Sequence, residues 1–154
     1  MNVRLAVEAD IPAVLRVQTA SAEAPQWDEA RYREMLEAQE GWPRRALFIA
    51  EDQGRIAGFI VVASVLDDAE IESIAVAPDS RRQGFGQQLC QAALGWACAQ
   101  GASQLRLEVR AGNEVARTVY SRLGFEINGL RRAYYSDPIE DAVILVKGLP
   151  SDGL

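Results

Sequence analysis

The stretch RRQGFG at residues 81–86 combines the residue types best suited to holding a phosphate group. Gly84 and Gly86 let an anion approach the backbone closely, and a helical pattern follows at once. The start of a helix offers free N–H groups and the positive end of the helix dipole. Arg81 and Arg82 add guanidinium groups whose planar shape matches phosphate oxygens. These residues predict a loop that binds phosphate or pyrophosphate.

Two other nucleotide-binding loops fit this stretch poorly. A Walker loop ends in GK[ST], whereas this loop continues as GFGQQL. A dinucleotide-binding turn has a third glycine where Leu89 stands, and it follows the first strand of a βαβ unit. A helix that merely begins beside glycines, with no ligand, remains the alternative.

Seven segments around the loop predict β-strands. Residues 3–7 predict the first strand, and RALFIAE, RIAGFIVVASVL and AEIESIAVA predict an antiparallel meander that ends at the loop. Residues 104–111 alternate apolar and polar side chains, which predicts a strand with Glu108 on its polar face. FEINGL and EDAVILVKGL predict two closing strands. Together with the helices, these strands predict a mixed α/β (α+β) sheet.

The first two predicted helices lie before the meander. Asp10 is the expected cap of a helix that begins IPAVLRVQ. Asp28 is the expected cap of EARYREMLEAQE, with Gly41 as its stop. Trp27 and Tyr32 have the spacing of a hydrophobic staple across the start of that helix.

The other two predicted helices follow the phosphate loop. QQLCQAALGWACAQ presents an apolar stripe and is expected to end at Gly101. Asn113 is the expected cap of EVARTVYSRL, and Gly124 its terminator. Cys90 and Cys98 share the apolar stripe of the first of these helices, so we expect buried, reduced thiols rather than a nucleophile.

Length and composition limit the classes of function. The 154 residues predict one domain over residues 3–149 with a short tail at 150–154. The chain has no histidine, which excludes Ser-His-Asp hydrolysis and the common zinc sites, so we expect no metal. The net charge of −6 argues against a nucleic-acid partner. No long apolar run or signal-peptide pattern is found, so we expect a cytoplasmic protein without a membrane partner.

Two sequence blocks resemble the GNAT acyltransferase family. RRQGFG matches the family signature R/Q-x-x-G-x-G/A, and it follows IAVAP as the family loop follows its strand. A second block, LEVR-x-x-N-x-x-A-x-x-x-Y-x-x-x-GF, spans Leu107 to Phe125. The chain is therefore identified as a member of this family, which implies a single-domain GNAT fold of about seven strands with a splayed centre and about four helices. RRAYYSDPIEDA is similar to the RimI-type branch, whose members acetylate the N-terminal alanine of a small-subunit ribosomal protein.

The resemblance implies a pair of catalytic residues. Glu108 matches the general base that takes the proton of the acceptor amine, directly or through water. Tyr120 matches the general acid that protonates the leaving thiolate of CoA. The alternatives are that Glu108 is a solvated glutamate paired with Arg106 or Arg110, and that Tyr120 only packs beside Ala116.

The resemblance also implies the residues that surround acetyl-CoA and the acceptor. The backbone of Val76 is the expected oxyanion donor, and the full cofactor set is Ile74, Ala75, Val76, Arg82, Gln83, Gly84, Phe85, Gly86, Gln87, Asn113 and Tyr120. The expected acceptor set is Trp27, Glu72, Tyr134 and Tyr135, with Glu72 as an auxiliary proton acceptor. A small-molecule amine acetyltransferase and a non-catalytic acyl-CoA-binding module are the competing functions.

Overall fold

The computed structural model describes residues 2–37 and 39–150, so the predicted tail, except for Pro150, lies outside the described residues. The seven strands are β1 (Asn2–Leu5), β2 (Arg44–Asp52), β3 (Arg55–Val65), β4 (Asp68–Val76), β5 (Gln104–Arg110), β6 (Glu126–Tyr135) and β7 (Glu140–Gly148). The helices are α1 (Ile11–Thr19), α2 (Glu29–Met35), α3 (Phe85–Ala99) and α4 (Glu114–Arg122), with single 3₁₀ turns at Glu8–Asp10 and Pro78–Ser80.

The strands form one mixed sheet in the order β1-β2-β3-β4-β5-β7-β6. β4 and β5 are parallel, and the other neighbouring pairs are antiparallel. The prediction of a mixed seven-stranded sheet with four helices is confirmed. Within the described residues no helix has the length and apolar character needed to cross a bilayer.

The centre of the sheet opens between its two parallel strands. β4 and β5 pair over three positions, from Asp68 opposite Gln104 to Glu70 opposite Arg106. A bulge in β4 then leaves Glu72 as the extra residue against β3. Bulges bend a strand and increase its twist, so the later part of β4 turns away from β5. The result is a V-shaped gap whose vertex lies at the pair formed by Glu70 and Arg106.

Two apolar cores cover the two faces of the sheet. The larger contains α3, and Leu89, Cys90 and Leu105 are fully buried in it. The smaller lies under α1 and α2, where the Tyr32 ring packs edge-on against Phe59 with centroids 5.9 Å apart. Each fully buried large apolar side chain contributes roughly 1.5–3 kcal/mol. The sheet that contains the V-shaped gap is therefore packed against an apolar core on each face.

Both cysteines are free thiols, and the prediction that they are buried is confirmed for Cys90 and wrong for Cys98. Burial raises the pKa of Cys90 to about 12, which leaves it an inert core residue. Cys98 is partly exposed at the end of the same helix.

The helix caps and helix ends agree with the sequence predictions except at two places. Asp28 accepts a hydrogen bond from the backbone N–H of Arg31, and Asn113 accepts one from that of Ala116, as predicted. The prediction for Asp10 is wrong, because its carboxylate accepts the N–H of Val7 at 2.8 Å and makes no cap bond to α1. The carboxylate also binds the guanidinium of Arg4, and this stronger charged partner directs it away from the helix.

The predicted end of α2 is also wrong, since the helix stops at Met35 and not near Gly41. The side-chain amide of Gln39 donates to the backbone oxygens of Met35 at 2.9 Å and Arg45 at 2.8 Å. It therefore satisfies a carbonyl that another helical turn would have used. The staple is confirmed, with the Trp27 and Tyr32 ring centroids 5.9 Å apart.

Candidate active site

The glycine loop adopts a shape that leaves the start of α3 open to a ligand. Arg82 and Gly84 have φ of +65° and +86°, both left-handed, and α3 begins at Phe85, two residues earlier than the sequence suggests. No side chain caps the helix start. A β-carbon added at Gly86 would meet no atom of the described chain within 4 Å. The first N–H groups of α3 are thus accessible, as an anion site requires.

The polar side chains of the loop have different neighbours. Arg81 donates from Nε to the backbone oxygen of Val76 at 3.2 Å, so it braces the loop against the end of β4. The amide of Gln83 lies 3.5 Å from the backbone oxygen of Asp79. Arg82 and Gln87 are exposed. Both arginines are exposed, but Arg81 is tied to the backbone of β4 by its hydrogen bond to Val76.

The last three residues of β4 form one wall of the V-shaped gap. Ile74 and Val76 pair with Ile60 and Gly58 of β3 through one edge of the strand. Their other edge faces the gap, because β5 has already diverged. A β-carbon at Gly58 would lie 2.7 Å from the carbonyl oxygen of Ala75, so only glycine permits this close approach of β3. The backbone at residues 74–76 is therefore fixed from behind and open in front.

Glu108 lies on the polar face of β5, just beyond the vertex. Its Oε1 is 2.7 Å from Nε of Arg131 on β6, and its side chain is only 13% exposed. The negative charge of Glu108, together with a side-chain hydrogen bond to it, raises the pKa of Tyr134. The alternative pairing with Arg106 or Arg110 is wrong, because Arg106 pairs with the carboxylates of β4 and Arg110 with Glu140. The sequence offered no local sign of Arg131.

The acidic residues of β4 surround the same vertex. Arg106 holds Asp68 at 2.9 Å and Glu70 at 3.1 Å. Burial raises the pKa of Glu70, and Glu72, Glu108 and Asp68 raise it further, while Arg106 opposes them. Glu70 was not predicted to be part of the site, although it stands two residues before Glu72 on an alternating strand.

Glu72 forms a two-point ion pair with an arginine of β2. Its two carboxylate oxygens are 2.7 and 3.2 Å from Nε and Nη2 of Arg45. An arginine held through two bonds is a strong, directional partner. Glu72 is therefore engaged with Arg45, a residue that the sequence did not indicate.

Tyr120 lies on α4 and belongs to the larger of the two cores. The residue is 6% exposed, and its ring packs edge-on against Phe125 with centroids 5.7 Å apart. Burial raises its pKa well above the usual value, with smaller contributions from Cys90, Tyr135 and Glu23. The phenol therefore stays protonated at neutral pH and keeps a proton to give.

Asn113 connects the start of α4 to the loop between α1 and α2. Its Oδ1 accepts the N–H of Ala116 at 3.1 Å, and its Nδ2 donates to Glu23 at 2.8 Å. A cavity of about 450 Å³ beside this contact includes Glu23, Arg110 and Glu140 in its lining. The side-chain amide of Asn113 is thus already hydrogen-bonded on both atoms.

The aromatic residues predicted for the acceptor lie in two separate clusters. Tyr134 and Tyr135 meet edge-on with ring centroids 5.1 Å apart, and Arg110 lies 4.4 Å over the ring of Tyr135. Trp27 instead belongs to the α1–α2 layer, where Arg31 lies 4.0 Å over its ring. The charge of Glu108 acts on both tyrosines, whereas Trp27 contacts Gln18 and Tyr32 of its own layer.

Comparison with known proteins explains this arrangement. The profile of the acetyltransferase (GNAT) family matches residues 16–125. The chain belongs to the GNAT family. A [ribosomal protein bS18]-alanine N-acetyltransferase of Escherichia coli (strain K12) is 35% identical over 138 residues, which are 88% of this chain and 89% of that protein.

Two solved structures have a similar architecture. The crystal structure of the ribosomal-protein-S18-alanine N-acetyltransferase from Escherichia coli has a TM-score of 0.80 at 30% identity, covering 99% of this chain and 97% of that one. Ard1 from Thermoplasma volcanium has a TM-score of 0.82 at 28% identity, covering 97% and 98%. The predicted GNAT fold and acyltransferase class are confirmed. The roles of individual residues stay predictions.

Proposed function

We propose that this GNAT protein transfers the acetyl group of acetyl-CoA to the N-terminal amine of a protein that begins with alanine. A small-subunit ribosomal protein is the expected acceptor. The names of the relatives support this class of acceptor. The observation that carries the proposal is the placement of Glu108 on β5, a strand that borders the V-shaped gap, and of the buried Tyr120 on α4, the helix that follows β5.

The open start of α3 supports acetyl-CoA as the donor. Pyrophosphate oxygens would accept from the first N–H groups of α3, with Arg82 as the cationic neighbour and Gly86 leaving space. The structure of yncA from Salmonella typhimurium, which has a similar fold, was solved with acetyl-CoA. Bound acetyl-CoA supplies a thioester carbonyl that an amine can attack. The gap-facing edge of β4 at Val76 is the proposed source of a hydrogen bond to the oxygen of that carbonyl.

The proposed proton transfers use one carboxylate and one phenol. The α-amine, with a usual pKa of about 7.7–8.0, is largely protonated at neutral pH and must lose a proton before it can attack. Glu108 accepts that proton as the new N–C bond forms. Tyr120 donates its proton to the sulfur as the C–S bond breaks, and it is reprotonated from solvent. A buried phenol with a raised pKa is suited to this second step.

The acceptor is tested with matched ligands. An alanine-starting hexapeptide should become acetylated at its N-terminus, and the same peptide with a blocked amine should not react. Spermidine and an amino sugar serve as small-molecule acceptors. Rapid acetylation of those amines with no reaction of the peptide at millimolar concentration would overturn the acceptor class. Binding of acetyl-CoA with no transfer to any amine would instead support a non-catalytic module.

A further inference from the structure

The ion pair between Arg131 and Glu108 carries an inference that rests on the proposed function. We propose that the guanidinium of Arg131 occupies the position of the acceptor ammonium on Glu108, and that the acceptor must displace it. Arg131 Nε lies 2.7 Å from Glu108 Oε1, at the distance of a charged hydrogen bond. Arg131 is thus a specificity-determining residue that competes with the substrate.

The strand order brings these two residues together. β7 lies between β5 and β6, so Arg131 must span two strand spacings, about 10 Å, to reach Glu108. Along the row that crosses the three strands, Arg110, Ala142 and Arg131 are directly paired. The small side chain of Ala142 leaves room for an extended arginine above β7. The contact is therefore built by the register of three strands.

The reaction requires that this contact be broken. A guanidinium stays protonated at all relevant pH values, so it cannot accept or relay the proton of the acceptor amine. An ammonium on the same oxygen must therefore exchange with Arg131.

The geometry also allows the exchange. The Arg131 side chain is 52% exposed, whereas that of Glu108 is 13% exposed, so the arginine is the mobile partner. An ion pair with one exposed partner contributes little net stability. The Arg131 guanidinium already lies 5.4 Å from the ring centroid of Tyr134, where a cation–π contact can hold it after it leaves the carboxylate.

Steady-state kinetics with the alanine-starting hexapeptide test the proposal. In Arg131→Met the competing cation is gone, so we expect the peptide KM to fall about two- to fivefold, the range of an exposed ion pair, with kcat within about twofold. Arg131→Lys keeps a cation and should resemble the wild type. Arg132→Met removes the same charge from the next exposed residue of β6 and should leave the peptide KM unchanged. Arg131→Gln provides a second neutral variant if the methionine variant unfolds.

A binding measurement separates competition from a general effect of charge. Calorimetry in the presence of CoA would compare the hexapeptide with an analogue that has a hydroxyl in place of the α-amine. We expect Arg131→Met to bind the amine peptide more tightly and the hydroxyl analogue with unchanged affinity. An equal gain for both ligands, or a peptide KM that rises or stays constant, would overturn the competition.

The outcomes also distinguish the two proposals. A wild-type protein that does not acetylate the peptide would remove the proposed function and this inference with it. An active wild type in which Arg131→Met behaves like Arg132→Met would remove the inference alone.

Discussion

The proposed role of Glu108 as the general base can be tested directly by substitution. Glu108→Gln keeps the shape of the side chain and removes the base, so the rate of peptide acetylation at neutral pH should fall by about 10² to 10⁴. Activity should recover partly above pH 9, because most of the acceptor amine is then already neutral. A pH–rate profile of the variant gives the answer. Wild-type rates at neutral pH would return Glu108 to a purely structural ion pair.

The proposed role of Tyr120 as the general acid is tested by a second substitution. Tyr120→Phe retains the packing against Phe125 and loses only the hydroxyl, so the protein should stay folded. We expect the peptide kcat to fall about 10²-fold or more, since the thiolate then leaves without a proton. Rapid-quench kinetics would follow the chemical step, and thermal melting would check the fold. Unchanged turnover across the pH range would make Tyr120 a core residue and nothing more.

The proposed pyrophosphate site at the start of α3 is tested by adding a side chain to a glycine of this helix. Gly86 and Gly95 are both glycines of this helix, and a β-carbon at either would meet no described atom within 4 Å. Gly86→Leu would place a side chain where the pyrophosphate is proposed to lie, so the affinity for acetyl-CoA should fall at least about tenfold, or 1.4 kcal/mol. Gly95→Leu is the matched control, with unchanged affinity. Calorimetric affinities that are equal in the two variants would argue against this site.

The contact between Asp10 and Arg4 should make the stability of the whole protein depend on pH. Hydrogen bonds from Arg4 lower the pKa of Asp10, although burial partly opposes them. The stabilisation is present above the unfolded pKa of about 3.9 and is lost as the pH falls through the lower folded value. Asp10→Asn should therefore lower the free energy of unfolding by about 1–2 kcal/mol at pH 7, and by much less near pH 2. Urea unfolding at both pH values measures this.

An exposed ion pair supplies the control for that experiment. Asp79 is paired with Arg55 at 3.1 Å, but both side chains are mostly exposed. Asp79→Asn should leave the urea midpoint at pH 7 nearly unchanged. A loss as large as that of Asp10→Asn would mean that charge, and not the contact with Arg4, causes the effect.

The sequence by itself determined the features that depend on neighbouring residues. The meander before the loop, the caps at Asp28 and Asn113, and the glycines at 84 and 86 are all encoded within a few positions, because strand alternation and capping act over that range. The order of elements then placed a helix start after β4. The mixed sheet and the position of the glycine loop were therefore predictable, and the two motif blocks that resemble the GNAT family predicted the GNAT fold.

The tertiary structure alone decided which charged groups meet. Glu108 binds Arg131, 23 positions away, because β7 inserts between β5 and β6, and Glu72 binds Arg45 across the meander. Asn113 meets Glu23, 90 residues earlier, and Asp10 follows Arg4 instead of its helix. Ion pairs between distant residues leave no repeating pattern in the sequence. Strand order and register therefore decide which charged groups meet. That is why the sequence resemblance predicted Glu108 as the base and gave no sign of its ion pair with Arg131.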